Sequence, residues 1–412
     1  MLINLRNALM AGKKLPYDAE VEYLENTVVN QANYETIAFP YIDTGIPAAD
    51  DVGVRITYEY RYLATARGAM VCGSFVASGS GYFGVYNYGA YNYKMWGGAT
   101  KMPTQIHVGE VLTTSLNFME SGTYEDVLNG ATINSGSLSG SPTFNPGSMW
   151  AFAINKGNYL TYEIARLRIY GLKITKGSTL VRDYIPVRVG TVGYLYDRVS
   201  GQLFGNAGTG DFVLGPDVVP VEYIESHGTE WIDTGVKVAD PSTISISVDS
   251  DGVTPFGVIH NNVGAGSWLG VNSRTSATEV AVYSKDFNSR GLFEFSAGRH
   301  TFKWDGATGF QIDGVSKSSF TATVGTDAIG SISWPLFGRY DFAYDSIGGY
   351  GSSMFYGGNI EISGIAARKF LPVRVGTEGA LIDTLTRRIY RNKRAGYAFG
   401  YGNDLPYPIP AS

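Results

Sequence analysis

Cysteine is almost missing from this chain of 412 residues: Cys72 stands alone. A single thiol excludes an intrachain disulfide and a thiolate metal cluster built by one chain, and Cys72 reads as a small buried apolar residue. Histidine is scarce too. His107, His227, His260 and His300 are scattered without metal-ligand spacing, so a zinc hydrolase has no footing. Charged residues make up 17% of the chain, and the formal net charge of −5 leaves no basic field for nucleic acid or an anionic membrane. No stretch approaches the roughly 20 apolar residues of a membrane span, so membrane insertion is not expected. Residues 1–14 carry Leu2, Ile3, Leu5, Leu9 and Met10, but Asn4, Arg6 and Asn7 interrupt them before they reach the ~7–15 apolar residues of a secretory signal. Long helical periodicity is missing throughout. Only residues 2–11, with Leu2, Leu5 and Leu9 at spacings of three and four, read as an amphipathic helical segment.

Glycine and tyrosine are abundant instead, at 53 and 29 residues, and aromatics reach 13%. Tyr, Val, Ile, Thr and Phe suit a pleated, half-buried surface, and Gly supplies turns between short strands. The length exceeds what one hydrophobic core holds, so two domains are expected. Internal repetition says the same. Val21-Glu-Tyr-Leu-Glu-Asn26 returns as Val221-Glu-Tyr-Ile-Glu-Ser226, and Ile42-Asp-Thr-Gly-Ile46 as Ile232-Asp-Thr-Gly-Val236. The tightest match sets Ile185-Pro-Val-Arg-Val-Gly-Thr-Val-Gly193 against Leu371-Pro-Val-Arg-Val-Gly-Thr-Glu-Gly379. A shared order with shrinking offsets marks duplication with loop deletions. The copies occupy residues 21–217 and 218–412, joined at Gly215-Pro-Asp-Val-Val-Pro220, and residues 1–20 precede them.

Within each copy the pattern is that of antiparallel hairpins. Val54, Ile56, Tyr58, Tyr60 and Tyr62 alternate with Arg55, Thr57, Glu59 and Arg61, and Ile244, Ile246 and Val248 share one face. Asp305-Gly306 and Asp313-Gly314 read as type I′ turns, with Asn129-Gly130 at the matching place in the first copy. Many short strands without intervening helices give an all-β fold of two tandem antiparallel β-sandwich domains.

The Val-Glu-Tyr-Ile-Glu-Ser run, the Trp-Ile-Asp-Thr-Gly segment, Phe337-Gly-Arg339, Phe355-Tyr-Gly-Gly-Asn-Ile360 and the closing Leu195-Tyr-Asp-Arg-Val-Ser-Gly-Gln-Leu-Phe-Gly-Asn-Ala-Gly208 together resemble the concanavalin A-like, laminin G-like jelly-roll domains found in gut bacteria and their phages. The resemblance spans nearly all of both copies. It implies a jelly roll of two curved sheets used for glycan or protein binding at surfaces or as a virion appendage. The first copy departs from the pattern within residues 26–40, and the second after Asp383, where Arg387, Arg388, Arg391, Lys393 and Arg394 replace the Gly-rich ending and put the terminal strand pairing in question.

Some jelly rolls hydrolyse polysaccharides with two carboxylates facing one cleft, commonly at alternate positions of a strand. No such spacing occurs here. Glu361 stands alone, Glu294 has no acidic neighbour two places away, and Glu125 and Asp126 are adjacent and so point to opposite faces. A glycoside hydrolase with a carboxylate pair from distant loops is the alternative reading. Aromatic stripes carry the binding reading: Tyr82, Tyr86 and Tyr88 on one strand, Tyr91, Tyr93 and Trp96 on its return, and in the second copy Trp268, Trp334, Arg339 and Tyr340. Aromatic rings stack on the apolar faces of sugars, and Trp, Tyr and Arg are favoured at hot spots. The same tyrosines equally serve as cross-strand packing pairs or core.

Asp43-Thr44-Gly45 and Asp233-Thr234-Gly235 read as turns in which Asp caps backbone NH groups. A Ca²⁺ site is the sharper alternative, but these isolated acids lack enough oxygen ligands, and no cofactor is expected. Arg188 and Arg374 read as structural, paired with carboxylates. The expected role is non-enzymatic recognition of a glycan or cell-surface receptor by a virion appendage or surface adhesin, made in the cytoplasm, with the N-terminal segment docking on a virion or surface scaffold. A homo-oligomer would suit a fibre, although no heptad pattern supports one.

Overall fold

In the computed structural model the described residues are 15–27, 39–61, 69–76, 81–88, 90–96, 100–101, 103–117, 123–128, 131–137, 144, 146–155, 166–237, 240–251, 256–260, 268–273, 279–285, 290–323, 333–341, 346–348, 352–406 and 408–410. The chain divides into two compact units that part between Asp217 and Val218. The first holds Gly12–Leu128 and Thr132–Asp217, and the second Val218–Ser412. Among the described residues the one helical element is the single 3-10 turn Pro241–Thr243; the rest of the regular structure is strand.

Each unit has a larger and a smaller sheet, and the strand order is the same in both. The larger sheet of the first unit runs Ala131–Ser137, Thr123–Leu128, Val111–Asn117, Val52–Tyr60, Leu167–Lys176, Thr179–Val189, Val192–Asp197, Gln202–Phe204. Its counterpart runs Val315–Ser318, Gly309–Ile312, Arg299–Asp305, Ile244–Asp251, Ser352–Ile362, Ile365–Val375, Glu378–Asp383, Ile389–Tyr390. The smaller sheets run Ile42–Pro47, Ser148–Ala151, Ala69–Val76, Gly81–Tyr88, Tyr91–Trp96, Thr100–Lys101, and Ile232–Lys237, Ser333–Leu336, Phe256–His260, Trp268–Ser273, Glu279–Lys285, Arg290–Glu294. Neighbours far apart in sequence, such as Val52–Tyr60 beside Leu167–Lys176, are the crossovers of a jelly roll.

Alternation builds the cores. Val54, Ile56, Tyr58 and Tyr60 point inward with Phe83, Val85, Leu112, Leu116 and Ile169 in the first unit. In the second, Ile244, Ile246 and Val248 meet Leu269, Val271, Phe302, Trp304, Phe310 and Trp334. Both copies hold a buried Phe in the left-handed region, Phe152 (φ 69°) and Phe337 (φ 64°), just after the strand that pairs with the Asp-Thr-Gly strand. In the Asp-Thr-Gly turns Asp43 and Asp233 accept from the NH of Gly45 (2.9 Å) and Gly235 (2.8 Å), while Thr44 and Thr234 donate to the carbonyls of Met149 (2.7 Å) and Trp334 (2.6 Å). Arg188 clamps Asp217 with two bonds (2.8 and 2.7 Å) and Arg374 clamps Asp404 (2.7 and 2.6 Å), each fastening the segment that leaves its copy.

Three expectations need correction. Asp305-Gly306 is no type I′ turn: residues 306–308 form the loop, the Asp305 carboxylate caps the NH of Ala307 (3.0 Å) and Thr308 (3.1 Å), and Gly306 is needed because a Cβ there would sit 1.8 Å from the Pro241 carbonyl. Asp313-Gly314 does have both residues at positive φ (53° and 77°), as its sequence suggests. Second, residues 17–20 are not free for docking. Tyr17 packs on Tyr196 (4.9 Å), and Ala19–Glu20 pairs with Arg188 and Val187 because the larger sheet offers unpaired backbone there. Third, the Arg-rich ending keeps the terminal pairings: Ile389–Tyr390 bonds to Leu381 and Ile382, and Gly400–Tyr401 to Ile224 and Glu225. The price is Arg387 at φ 64°, where the first copy has Gly201 at 73°. Residues 1–14 and Asn129-Gly130 lie outside the described residues.

Candidate functional site

In the smaller sheet of the first unit Tyr86 pairs in register with Tyr93, and Tyr88 with Tyr91, and the rings of Tyr86, Tyr93 and Tyr91 form a stripe on one face of the hairpin. Phe83, Val85 and the buried Asn87 alternate with it toward the core. Trp96 sits opposite Phe83, two places beyond Lys94, which assigns it to the other set of strand positions from Tyr91 and Tyr93. The Tyr86 and Tyr93 rings stack at 5.1 Å and pack with Phe75 and Ile154. Exposure rises along the ladder, from 9% at Tyr86 to 44% at Tyr91. A ligand on this face would meet Tyr91 and the flank of Tyr93, while Tyr86 supports them from beneath.

The second unit reads differently. Trp334 is 0% exposed and packs on Trp304 at 5.3 Å inside the core. It is therefore withdrawn as a surface contact: its strand Ser333–Leu336 alternates, and Trp334 falls on the inward side with Leu336. Tyr283, opposite Gly270 on the strand beside Trp268–Ser273, is buried too. Arg339 and Tyr340 lie in a short strand that pairs with Val258 and Ile259 on one side and Gly348 and Ile347 on the other, and Trp268 pairs with Lys285. The side chains of Tyr82, Tyr88, Trp96, Trp268, Arg339 and Tyr340 lie outside the described residues.

A cleft of about 410 Å³ opens in the second unit beside Tyr223, Tyr356, Arg299, Glu222 and Pro372. Tyr223 meets Tyr356 edge to face at 5.5 Å, and the Arg299 guanidinium lies 4.4 Å from the centre of the Tyr356 ring. Asp249 holds Arg299 from the adjacent strand (2.9 Å), and Glu222 accepts from Asn403 (3.1 Å). Burial, with the nearby acids, pushes the Tyr356 phenol up, so it stays a neutral donor. Arg299 lies over the Tyr356 ring and stays 54% exposed, so the concavity offers aromatic groups and an accessible, Asp249-paired guanidinium, which suits a ligand with both apolar CH faces and hydroxyl or anionic groups. The sequence held two signals for it: Glu222 and Tyr223 belong to the repeated Val-Glu-Tyr motif and Tyr356 to Phe355-Tyr-Gly-Gly-Asn-Ile360, both read there only as framework. Arg299 carries no comparable signal.

The first unit has the same aromatic pair, Tyr23 against Tyr170 at 5.7 Å, but Arg168 lies 3.9 Å from the Tyr23 ring centre and covers it. Two buried carboxylates from distant strands, Glu25 and Glu59, meet around that arginine. Glu25 accepts from Arg166 (2.7 Å) and Arg168 (2.8 Å); Glu59 accepts from Arg61 (2.7 Å) and from the Tyr170 hydroxyl (2.5 Å). Burial and the Glu59 bond push the Tyr170 phenol up. Carboxylates engaged this fully by guanidinium groups are not free to face a sugar leaving group. Elsewhere Glu125 accepts from Thr132 (2.6 Å) and Glu361 from Asn359 (3.0 Å). Among the described residues no group of three or more His, Cys, Asp or Glu is placed to hold a metal ion.

No protein-family model and no curated protein matches the chain. Solved structures similar to it include a putative carbohydrate binding protein from Bacteroides ovatus ATCC 8483, at TM-score 0.32 and 11% identity over 47% of this chain and 60% of that one. Domains LG4-5 of the mouse laminin alpha1 chain match at TM-score 0.28 and 8% identity over 86% and 93%. The binding domain of Botulinum Neurotoxin DC, in complex with SialylT, matches at TM-score 0.24 and 7% identity over 94% and 95%.

Proposed function

We propose that this chain is a non-enzymatic recognition protein that binds glycans, with the Tyr223, Tyr356 and Arg299 cleft of the second unit as its principal site and the Tyr91 and Tyr93 edge of the first unit as a weaker one. The cleft carries the reading. Its volume of about 410 Å³ falls in the range of small-ligand sites, and aromatic faces beside a fixed cation and an acceptor match the amphipathic surface of a sugar ring. The arginine-bound state of Glu25 and Glu59 supports binding over hydrolysis. Two like modules in one chain gain from avidity at a surface dense with receptors, which suits a phage or prophage virion appendage or a surface adhesin. In that reading residues 1–14 dock on the particle or surface scaffold, and a chain lacking them that still joined the particle would refute it.

The test is glycan-array binding by the intact protein beside Tyr356→Ala and Tyr91→Ala. Loss of binding in Tyr356→Ala locates the site in the cleft. Loss only in Tyr91→Ala moves it to the first unit, and unchanged binding in both refutes these sites. Release of reducing sugar from any bound polysaccharide would overturn the non-enzymatic reading.

A further inference from the structure

The core of the first unit contains a lysine and an aspartate that are both 0% exposed, Lys94 from the smaller sheet and Asp126 from the larger one. Lys94 Nζ donates to Asp126 Oδ2 and to Thr104 Oγ1 (2.7 Å). Thr104 in turn donates to Asp126 Oδ2, and Thr114 donates to Asp126 Oδ1 (2.6 Å). Asn134 donates to Thr104 (2.8 Å), the Tyr58 hydroxyl lies 3.0 Å from Thr114, and the Tyr124 ring sits 5.1 Å from the amine. Taking two charges this far from water is costly, and such a pair is rarely better for stability than apolar packing. The second unit shows the apolar solution: its corresponding hairpin turns Phe302, Trp304, Phe310 and Ile312 inward, and the facing strand Val280 and Val282.

We propose that Lys94 and Asp126 condense into an intramolecular amide that joins the two sheets of the first unit covalently. The amine and the carboxyl are held in contact, dry, with a hydroxyl donor on each carboxyl oxygen. Burial pushes the Lys94 amine down against the opposing pull of Asp126, so the amine holds its proton less tightly. In the neutral pair the Nζ lone pair attacks Cγ while the carbonyl π pair moves to Oδ1, where Thr114 supplies a hydrogen bond as in an oxyanion hole. One Nζ proton passes through the Thr104 hydroxyl to Oδ2. The Cγ–Oδ2 bond then breaks, its electron pair leaves with the oxygen as water, and the carbonyl re-forms at Oδ1. One C–N bond forms, one C–O bond breaks, one water departs, and no oxidant or reductant is needed. Exclusion of solvent from the product disfavours hydrolysis.

The experiment is intact mass measurement of the denatured full chain, followed by tryptic mapping with fragmentation. The expected result is a mass lower than the sequence requires by one water, no cleavage after Lys94, and a branched peptide joining the Lys94 and Asp126 segments. Lys94→Met and Asp126→Ala should each restore the full mass, and Thr104→Val should slow the bond's appearance in freshly made protein. Recovery of the Lys94 and Asp126 peptides separately and unmodified from the native chain overturns the proposal, whether or not the variants fold. A water loss mapped instead to Asp305-Gly306 or Asp313-Gly314, where succinimides form, overturns it equally.

Discussion

Replacing Trp334 separates a core residue from a ligand contact. The indole is fully buried against Trp304, and a tryptophan of about 200 Å² at roughly 25 cal/mol per Å² gains about 5 kcal/mol from burial. Its Nε1 has no hydrogen-bond partner in the core, which costs about 1–3 kcal/mol. Alanine keeps part of the apolar contact but leaves a cavity, so Trp334→Ala should destabilise the second unit by about 3 kcal/mol, at the lower end for Trp→Ala because the stranded donor also goes. Trp334→Phe removes the donor and keeps most of the ring, so its cost should stay below about 1.5 kcal/mol. Urea denaturation followed by far-ultraviolet circular dichroism measures both, and glycan binding of the folded Phe variant should equal that of the parent. A Phe variant that folds normally but loses binding, or an Ala variant as stable as the parent, would refute the placement of Trp334.

Gly306→Ala should cost about 1–3 kcal/mol by overpacking, since its Cβ would meet the Pro241 carbonyl at 1.8 Å; Gly364→Ala, at φ 76° with open space around it, should cost only about 1 kcal/mol in the same denaturation assay. The Arg374 bonds hold the Asp404 carboxyl below its usual range, so its contribution is complete above the unfolded value of about 3.9 and is lost as pH falls through the lower folded value. Asp404→Asn should therefore flatten the acid limb of a thermal stability profile below about pH 4 and shift stability at pH 7 by a constant amount; an unchanged acid limb would contradict the clamp. Burial pushes the Cys72 thiol up to about 12, so iodoacetamide at pH 8 should leave it unmodified in the native protein and label it once urea unfolds the chain. Rapid native labelling would show that the strand Ala69–Val76 opens.

Much of the fold was legible because its signals are local. Alternation at Val54, Ile56, Tyr58 and Tyr60 comes from the period-two geometry of a strand, and the Asp-Thr-Gly caps need only neighbours in sequence. Duplication adds a second reading of each element, which is why the shared strand order follows the repeated motifs. Asp305-Gly306 misled because the dipeptide is compatible with more than one turn, and the approach of Pro241 selects among them.

The chain alone therefore determined the all-β class, the repeat, the inward face of several strands and the scarcity of cysteine and histidine, all properties of composition and near neighbours. Tertiary structure alone decided that Trp334 is core, that Tyr91 lies open while Tyr86 is covered, that Tyr356 and Arg299 meet Tyr223 at a cleft, and that Lys94 faces Asp126. Each of these depends on which strands the crossovers bring together, a pairing between residues tens to more than a hundred positions apart that no local period encodes.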